Sequence, residues 1–196
     1  MTVREAVEAR RSIRAYQPEP VADADLKLIL EAGRLAPSGC NLQPWRFVVT
    51  TDPALKTRLA DEGTLFEGNR DVCRQAPAVV TFVADLKAHC RAAEMPESLK
   101  ARFEGMDDDQ LAAYASLNID IAIAQMNLQA TELGYGMCWM MAIDPAKCAE
   151  ILAVPAEFRV VAISPLGKPA ESPDPRPRLE MAMIVFADVF GGKLSF

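Results

Sequence analysis

One β-sheet covered by helices, in a single domain, is the fold the sequence predicts. Three observations predict it. Short β-branched runs alternate with stretches of helical spacing, proline- and glycine-bearing turns separate them, and no repeat or second-domain boundary breaks residues 1–196. A chain of 196 residues, 51% hydrophobic and 24% charged, suits one sizeable core.

In chain order, TVREAVEARRS predicts a short amphipathic helix ending in a basic turn, with Val3, Ala6, Val7 and Ala9 as its apolar positions. VADADLKLILEAGRLAPS predicts a second, with Leu26, Ile29, Leu30 and Gly33 at helical spacing and Pro37 as its stop. RFVVT, residues 46–50, reads as a strand. Asp52-Pro53 opens a helix through Leu59, and another precedes Ala76-Pro77. AVVTFVA, residues 78–84, is continuously apolar and valine-rich, the pattern of a strand buried on both faces. Residues 86–110 are charged and interrupted by Pro96 and Gly105. They read as a helical excursion or a cover over an active site. Residues 111–134 form the longest helix-compatible run, apolar around most of its circumference, so it belongs in a core or a subunit contact. FRVVAISPLG and MAMIVFADVF are two later strand candidates, separated by the proline-rich GKPAESPDPRPR.

A net charge of −6 excludes a broad basic field for nucleic acid, and no apolar run approaches the roughly 20 residues that span a bilayer. Five cysteines form neither a CxxC pair nor a regular framework. Their odd number, without a secretory leader, points to reduced thiols and a cytoplasmic protein. A single histidine, His89, leaves little for zinc or histidine chemistry and suits packing or solvent, so no metal is expected. GxxxxGK[ST], GxGxxG after a first strand, GxSxG and HExxH are all absent.

Two basic segments stand out in this acidic chain. EARRSIRAY carries Arg10, Arg11, Ser12 and Arg14, either a solvated patch or donors around an anion, since guanidinium forks match phosphate oxygens. PDPRPR carries Arg176 and Arg178 on a stiffened backbone. If the two segments converge, they neutralise one phosphate; spacing alone does not establish convergence. APSGCNLQPW, residues 36–45, combines turn-forming Pro37 and Gly39 with the polar Ser38, Asn41 and Gln43, which suits the edge of a planar heterocycle.

RRSIRAY, APSGCNLQPW, ELGYGMCWM at 132–140 and LGKPAESPDPRPR at 166–178, in that order, resemble the FMN-dependent nitroreductase family. The resemblance implies an α+β fold with a central antiparallel sheet flanked by helices. It also implies an intertwined homodimer with FMN at the subunit interface and C-terminal strand exchange, here through MIVFADVFGGKLSF. By the same resemblance Arg10, Arg11, Ser12 and Arg14 bind phosphate and ribityl, with Arg176 and Arg178 as their late complement. Pro37, Ser38 and Asn41 meet the flavin from the other subunit, Gln43 either supports that loop or contacts FMN, and Asn69 and the Ala142 backbone N–H serve the polar edge of the ring. Some members carry an acidic residue and a glycine where this chain has Met141 and Ala142, a departure that bears on substrate more than on cofactor.

The implied reaction is hydride transfer from NADH or NADPH to flavin N5, then electron delivery to a small organic acceptor such as a nitroaromatic or quinone, in a ping-pong cycle. No side chain is assigned as catalytic, because the cofactor carries the chemistry. The alternatives are a flavin-linked dehydrogenase, a dehalogenase, a flavin-transforming enzyme, or a nonenzymatic flavin-binding protein.

Overall fold

A computed structural model describes residues 1–92 and 95–194. The sheet has four strands in the order β1-β2-β4-β3, every neighbouring pair antiparallel. They are β1 (Trp45–Thr50), β2 (Ala78–Asp85), β3 (Gly136–Met137) and β4 (Phe158–Gly167). The antiparallel sheet and its helical cover agree with the α+β expectation.

Among the described residues eight α-helices surround it: α1 (Val3–Ala9), α2 (Asp23–Arg34), α3 (Pro53–Asp61), α4 (Glu67–Gln75), α5 (Glu97–Glu104), α6 (Asp108–Glu132), α7 (Pro145–Ile151) and α8 (Met181–Ile184). Their starts follow the sequence locally. Thr2 and Glu5 form a capping box on α1, and Asp107 and Gln110 form one on α6. Asp52 and Asp144 accept from backbone N–H groups of α3 and α7, each with proline in the first turn.

Strand β2 organises the interior because both of its faces are buried. Ala78, Val80, Phe82 and Ala84 pack with Ile29 of α2 and with Ile119, Ile123 and Met126 of α6. Val79 and Val83, pointing the other way, join Leu59 of α3, Val72 and Cys73 of α4 and Ile151 of α7. A continuous apolar run is what a strand between two helical layers requires. Gly33 lets α2 cross α6 closely: a Cβ there would stand 2.6 Å from the Met126 sulfur.

Three features differ from expectation. MAMIVFADVF is not a strand: Met181–Ile184 form α8, and residues 185–194 pair with no strand among the described residues. β-Branched composition favours a strand only where an edge is in reach, and within one chain this segment meets none. The long helix begins at Asp108, three residues earlier than its apolar run, because the Asp107 cap sets the start. Gly136–Met137, too short to read from composition, close the sheet as β3; a Cβ at Gly136 would lie 2.3 Å from Ile13.

Candidate functional site

The two basic segments meet. Arg10, Arg11, Ser12 and Arg14 share one concavity of about 380 Å³ with Arg176 and Arg178, closed by Pro173 and Pro175. The first segment lies between two others. Ser12 bridges Met137 in parallel and the Ile13 N–H donates to the Met137 carbonyl at 3.1 Å. On its other side the Ala170 N–H donates to the Ala15 carbonyl and the Gln17 N–H to that of Lys168, both at 2.9 Å. Tyr16, buried beneath, donates its hydroxyl to the Ile13 carbonyl at 2.7 Å.

None of these five arginines has a carboxylate partner among the described residues, while Arg4, Arg34, Arg46, Arg58, Arg74, Arg91 and Arg159 all do. Three of the five reach backbone carbonyls instead: Arg11 to Glu8 and Pro173, Arg14 to Ser12, and Arg178 to Arg176. Unneutralised guanidinium groups gathered in one hollow repel one another, and the arrangement suits an anion that relieves the repulsion. Glu8 and Asp174 also line the hollow, and Glu8 is engaged with Arg4 at 2.8 Å.

Asn69 and Ala142 lie on two segments that backbone bonds join just before α4. The Gln75 amide, at the end of α4, donates to the Arg14 carbonyl at 3.3 Å. Asn69 lies six residues back along α4, about 9 Å of helix. Just before α4 the Leu65 N–H donates to the Ala142 carbonyl at 3.0 Å and the Gly63 carbonyl accepts from Asp144 at 2.9 Å. The Ala142 N–H itself has no acceptor among the described residues. Leu65, Phe66, Trp139 and Met141 beside it are all exposed.

The loop at 36–45 is held in an unusual conformation. Cys40, Asn41 and Gln43 all have φ near +50°, a region that asparagine tolerates better than most side chains. The Gly39 N–H donates to Asn118 Oδ1 at 2.9 Å, and the Gln43 N–H to Ser38 Oγ at 2.9 Å. A Cβ on Gly39 would stand 2.5 Å from the Tyr114 hydroxyl. Behind the loop, Leu42 packs with Ala88, Met95 and Phe103 of the 86–110 excursion, and His89 stacks on Phe103 at 5.7 Å. The buried Asp85 carboxylate ties the arrangement down by pairing with Arg46 at 2.6 Å and with Arg91. Pro37, Ser38, Asn41 and Gln43 do not line the arginine hollow of their own chain; Gln43 instead faces a groove between α2 and β1.

Cys73, Cys138 and Cys148 are buried, and desolvation raises all three thiols, Cys73 to about 12 and Cys148 to about 11. They are packing residues, protonated at neutral pH. Asn118 and Glu171, which hold the loop and the basic arm, escape sequence reasoning. The signal for Asn118 is an amide inside an otherwise apolar helical run; Glu171 has none beyond its place before the prolines.

The fold and the ordered motifs agree with a known family. The Nitroreductase family model matches residues 7–168. The chain belongs to the nitroreductase family. A relative from Thermus thermophilus, named NADH dehydrogenase, is 34% identical over 190 residues, covering 90% of this chain and 91% of its own. The NADPH:FMN oxidoreductase of Vibrio harveyi, solved with NAD+, is 25% identical at a TM-score of 0.80, over 98% of this chain and 79% of that one. A nitroreductase family protein from Streptococcus pneumoniae superposes at a TM-score of 0.83 with 24% identity, over 94% of this chain and 98% of that one, a likeness of fold. The nitroreductase match ends before Arg176 and Arg178, so their place rests on the hollow itself.

Proposed function

We propose that the chain is an NAD(P)H-dependent FMN oxidoreductase acting on a small organic acceptor, with a nitroaromatic or quinone as the expected class. The observation that carries this reading is the convergence of Arg10, Arg11, Arg14, Arg176 and Arg178, without carboxylate partners, in one hollow. Five cations around a phosphate dianion exceed what a neutral ligand needs. The Ser12 hydroxyl adds a short donor.

The remaining residues fit the rest of an FMN molecule. Segment 137–142 and α4 both lead from the arginines to Asn69 and Ala142, over a distance comparable with a ribityl chain. There the Asn69 side chain and the free Ala142 N–H meet the polar edge of the ring, where donors stabilise negative charge. When bound, FMN supplies the redox chemistry, taking a hydride from NADH or NADPH and delivering electrons to the acceptor. The protein binds, orients and polarises; Met141, in place of a carboxylate, presents the acceptor with an apolar surface.

The loop at 36–45 enters this reading from a second copy of the chain. Its polar residues do not line the hollow of its own chain, and exposed apolar surface elsewhere supports a homodimer. Met181, Met183, Ile184, Val189 and Phe190 are 54%, 61%, 54%, 70% and 93% exposed on the C-terminal segment, while β1 leaves one sheet edge unpaired. An apolar tail and an open edge strand answer one another across a two-fold axis. The partner's tail, laid on β1, regains the pairing that MAMIVFADVF lacks in its own chain. The excursion at 86–110, packed on the loop through Leu42, covers the flavin from the same side.

The test is reconstitution with FMN, removal of free flavin and anaerobic addition of NADH or NADPH. The proposal expects retained FMN whose oxidised absorbance bleaches with at least one nicotinamide and returns on adding a quinone. A folded protein that retains no flavin overturns it.

A further inference from the structure

We infer that Glu171 is a positioning residue, a latch that brings the Arg176/Arg178 arm onto the first arginine segment; this rests on the flavin-phosphate reading of the hollow. The arm after β4 has no regular structure over residues 171–180 and carries three prolines, so it has no hydrogen-bond ladder to place it. Its attachments lie at its beginning. Ala170 and Lys168 make the backbone bonds described above, and Gln17 Nε2 donates to the Pro169 carbonyl at 2.8 Å. Glu171 Oε1 then accepts from the backbone N–H groups of both Arg14 and Ala15, the latter at 3.2 Å. Beyond it, Arg11 Nε to the Pro173 carbonyl at 3.2 Å ties the arm to the first segment.

The choice of partner is what makes this a latch. A carboxylate bonded to the backbone of Arg14 would be expected to pair with a nearby guanidinium group, yet Glu171 forms no ion pair among the described residues. It turns to the backbone of the residue whose side chain lines the hollow. The arm is thereby fastened while the arginine charges stay free for a ligand. A fixed negative charge beside a phosphate site also opposes a dianion. The two roles of Glu171 therefore act on phosphate affinity with opposite signs, and substitution separates them.

FMN and riboflavin binding, followed by flavin fluorescence quenching, are compared for wild type, Glu171→Ala, Glu171→Gln and Arg178→Ala. The latch predicts that Glu171→Ala weakens FMN binding about tenfold, through lost charge-assisted bonds, while riboflavin changes less than about twofold. Glu171→Gln keeps an acceptor oxygen and removes the charge, so it binds FMN at least as tightly as wild type. Amide exchange at Arg14 and Ala15 in the flavin-free protein quickens in Glu171→Ala and stays slow in Glu171→Gln. Tighter FMN binding by Glu171→Ala, or weak binding by a folded Glu171→Gln, overturns the latch. If Glu171→Ala does not fold, the glutamine variant alone decides on the same criterion. The phosphate reading fails separately: wild type would then bind FMN no better than riboflavin, and Arg178→Ala would change nothing.

Discussion

The arginine hollow and the loop at 36–45 are built on different plans. The hollow is complete within one chain: backbone bonds from Met137 on one side and Ala170 on the other fix Ser12 to Gln17, and two distant basic segments close on one space. The loop is equally well held, by Asn118, Ser38 and the packing of Leu42, but it presents its polar atoms away from that space. Near it, β1 leaves its edge open, and the segment from α8 onward holds Met181, Met183, Ile184, Val189 and Phe190 exposed. The arginine side is thus intramolecular, whereas the loop, on the reading proposed above, serves the site of a second subunit. A ligand with a charged tail and a flat ring is matched by such a division.

The largest expected effect tests the outward half. Phe190 is 93% exposed, so in a monomer Phe190→Ser would change stability by no more than about 0.5 kcal/mol. As a buried anchor between subunits it would cost about 2–4 kcal/mol of association. Sedimentation across a concentration series checks this: the variant should dissociate at concentrations where wild type remains a dimer.

Next comes the inward half. Arg14→Ala and Arg178→Ala should each weaken FMN by about 1.5–3 kcal/mol, the range for hydrogen bonds to charged groups, with little effect on riboflavin. Equilibrium titration at two salt concentrations sharpens the point, since the difference between variant and wild type should shrink as salt screens it.

A smaller effect belongs to the loop's support. Asn118→Ala removes the acceptor of the Gly39 N–H and should cost about 1–2 kcal/mol, expressed as faster exchange at Gly39 and a lower flavin affinity. Unlike the arginine variants, it should weaken FMN and riboflavin alike, because it acts on the ring side.

The smallest is a pH effect in the shared core. Burial raises the Cys73 thiol from an ordinary 9.0 to about 12. The unfolded chain therefore loses this proton first, so the stabilising contribution is complete below pH 9 and declines as pH rises from there toward 12. Chemical denaturation between pH 8 and 10.5 should show falling stability, with a shallower fall in Cys73→Ala.

Much of the fold is legible because burial leaves a periodic trace. AVVTFVA reads as a two-sided strand since both neighbours of β2 in the layer order are helical, and the caps at Asp52 and Asp107 mark helix starts by side-chain chemistry alone. The tail misleads for a related reason. MIVFADVF has strand composition, but strand formation needs a partner edge, which one chain does not supply. In the site, residue types are legible and meetings are not. PDPRPR announces two cations, but their approach to Arg14 depends on bonds at Lys168, Pro169, Ala170, Glu171 and Pro173 that the pattern does not show. The role proposed for Ala142 rests on its backbone N–H, which no side-chain pattern encodes.

Complementation between two defective chains tests the divided site most directly. One chain carries Arg14→Ala with Arg178→Ala and keeps its loop; the other carries Gly39→Val with Asn41→Ala and keeps its arginines. Each is expected to lose FMN alone. Unfolding and reassembly as a mixture should restore one intact site per mixed dimer, up to about a quarter of all sites after random pairing, with bleaching by nicotinamide to match. A mixture as empty as its two components would contradict the account, because it would place arginines and loop around the same flavin in one chain.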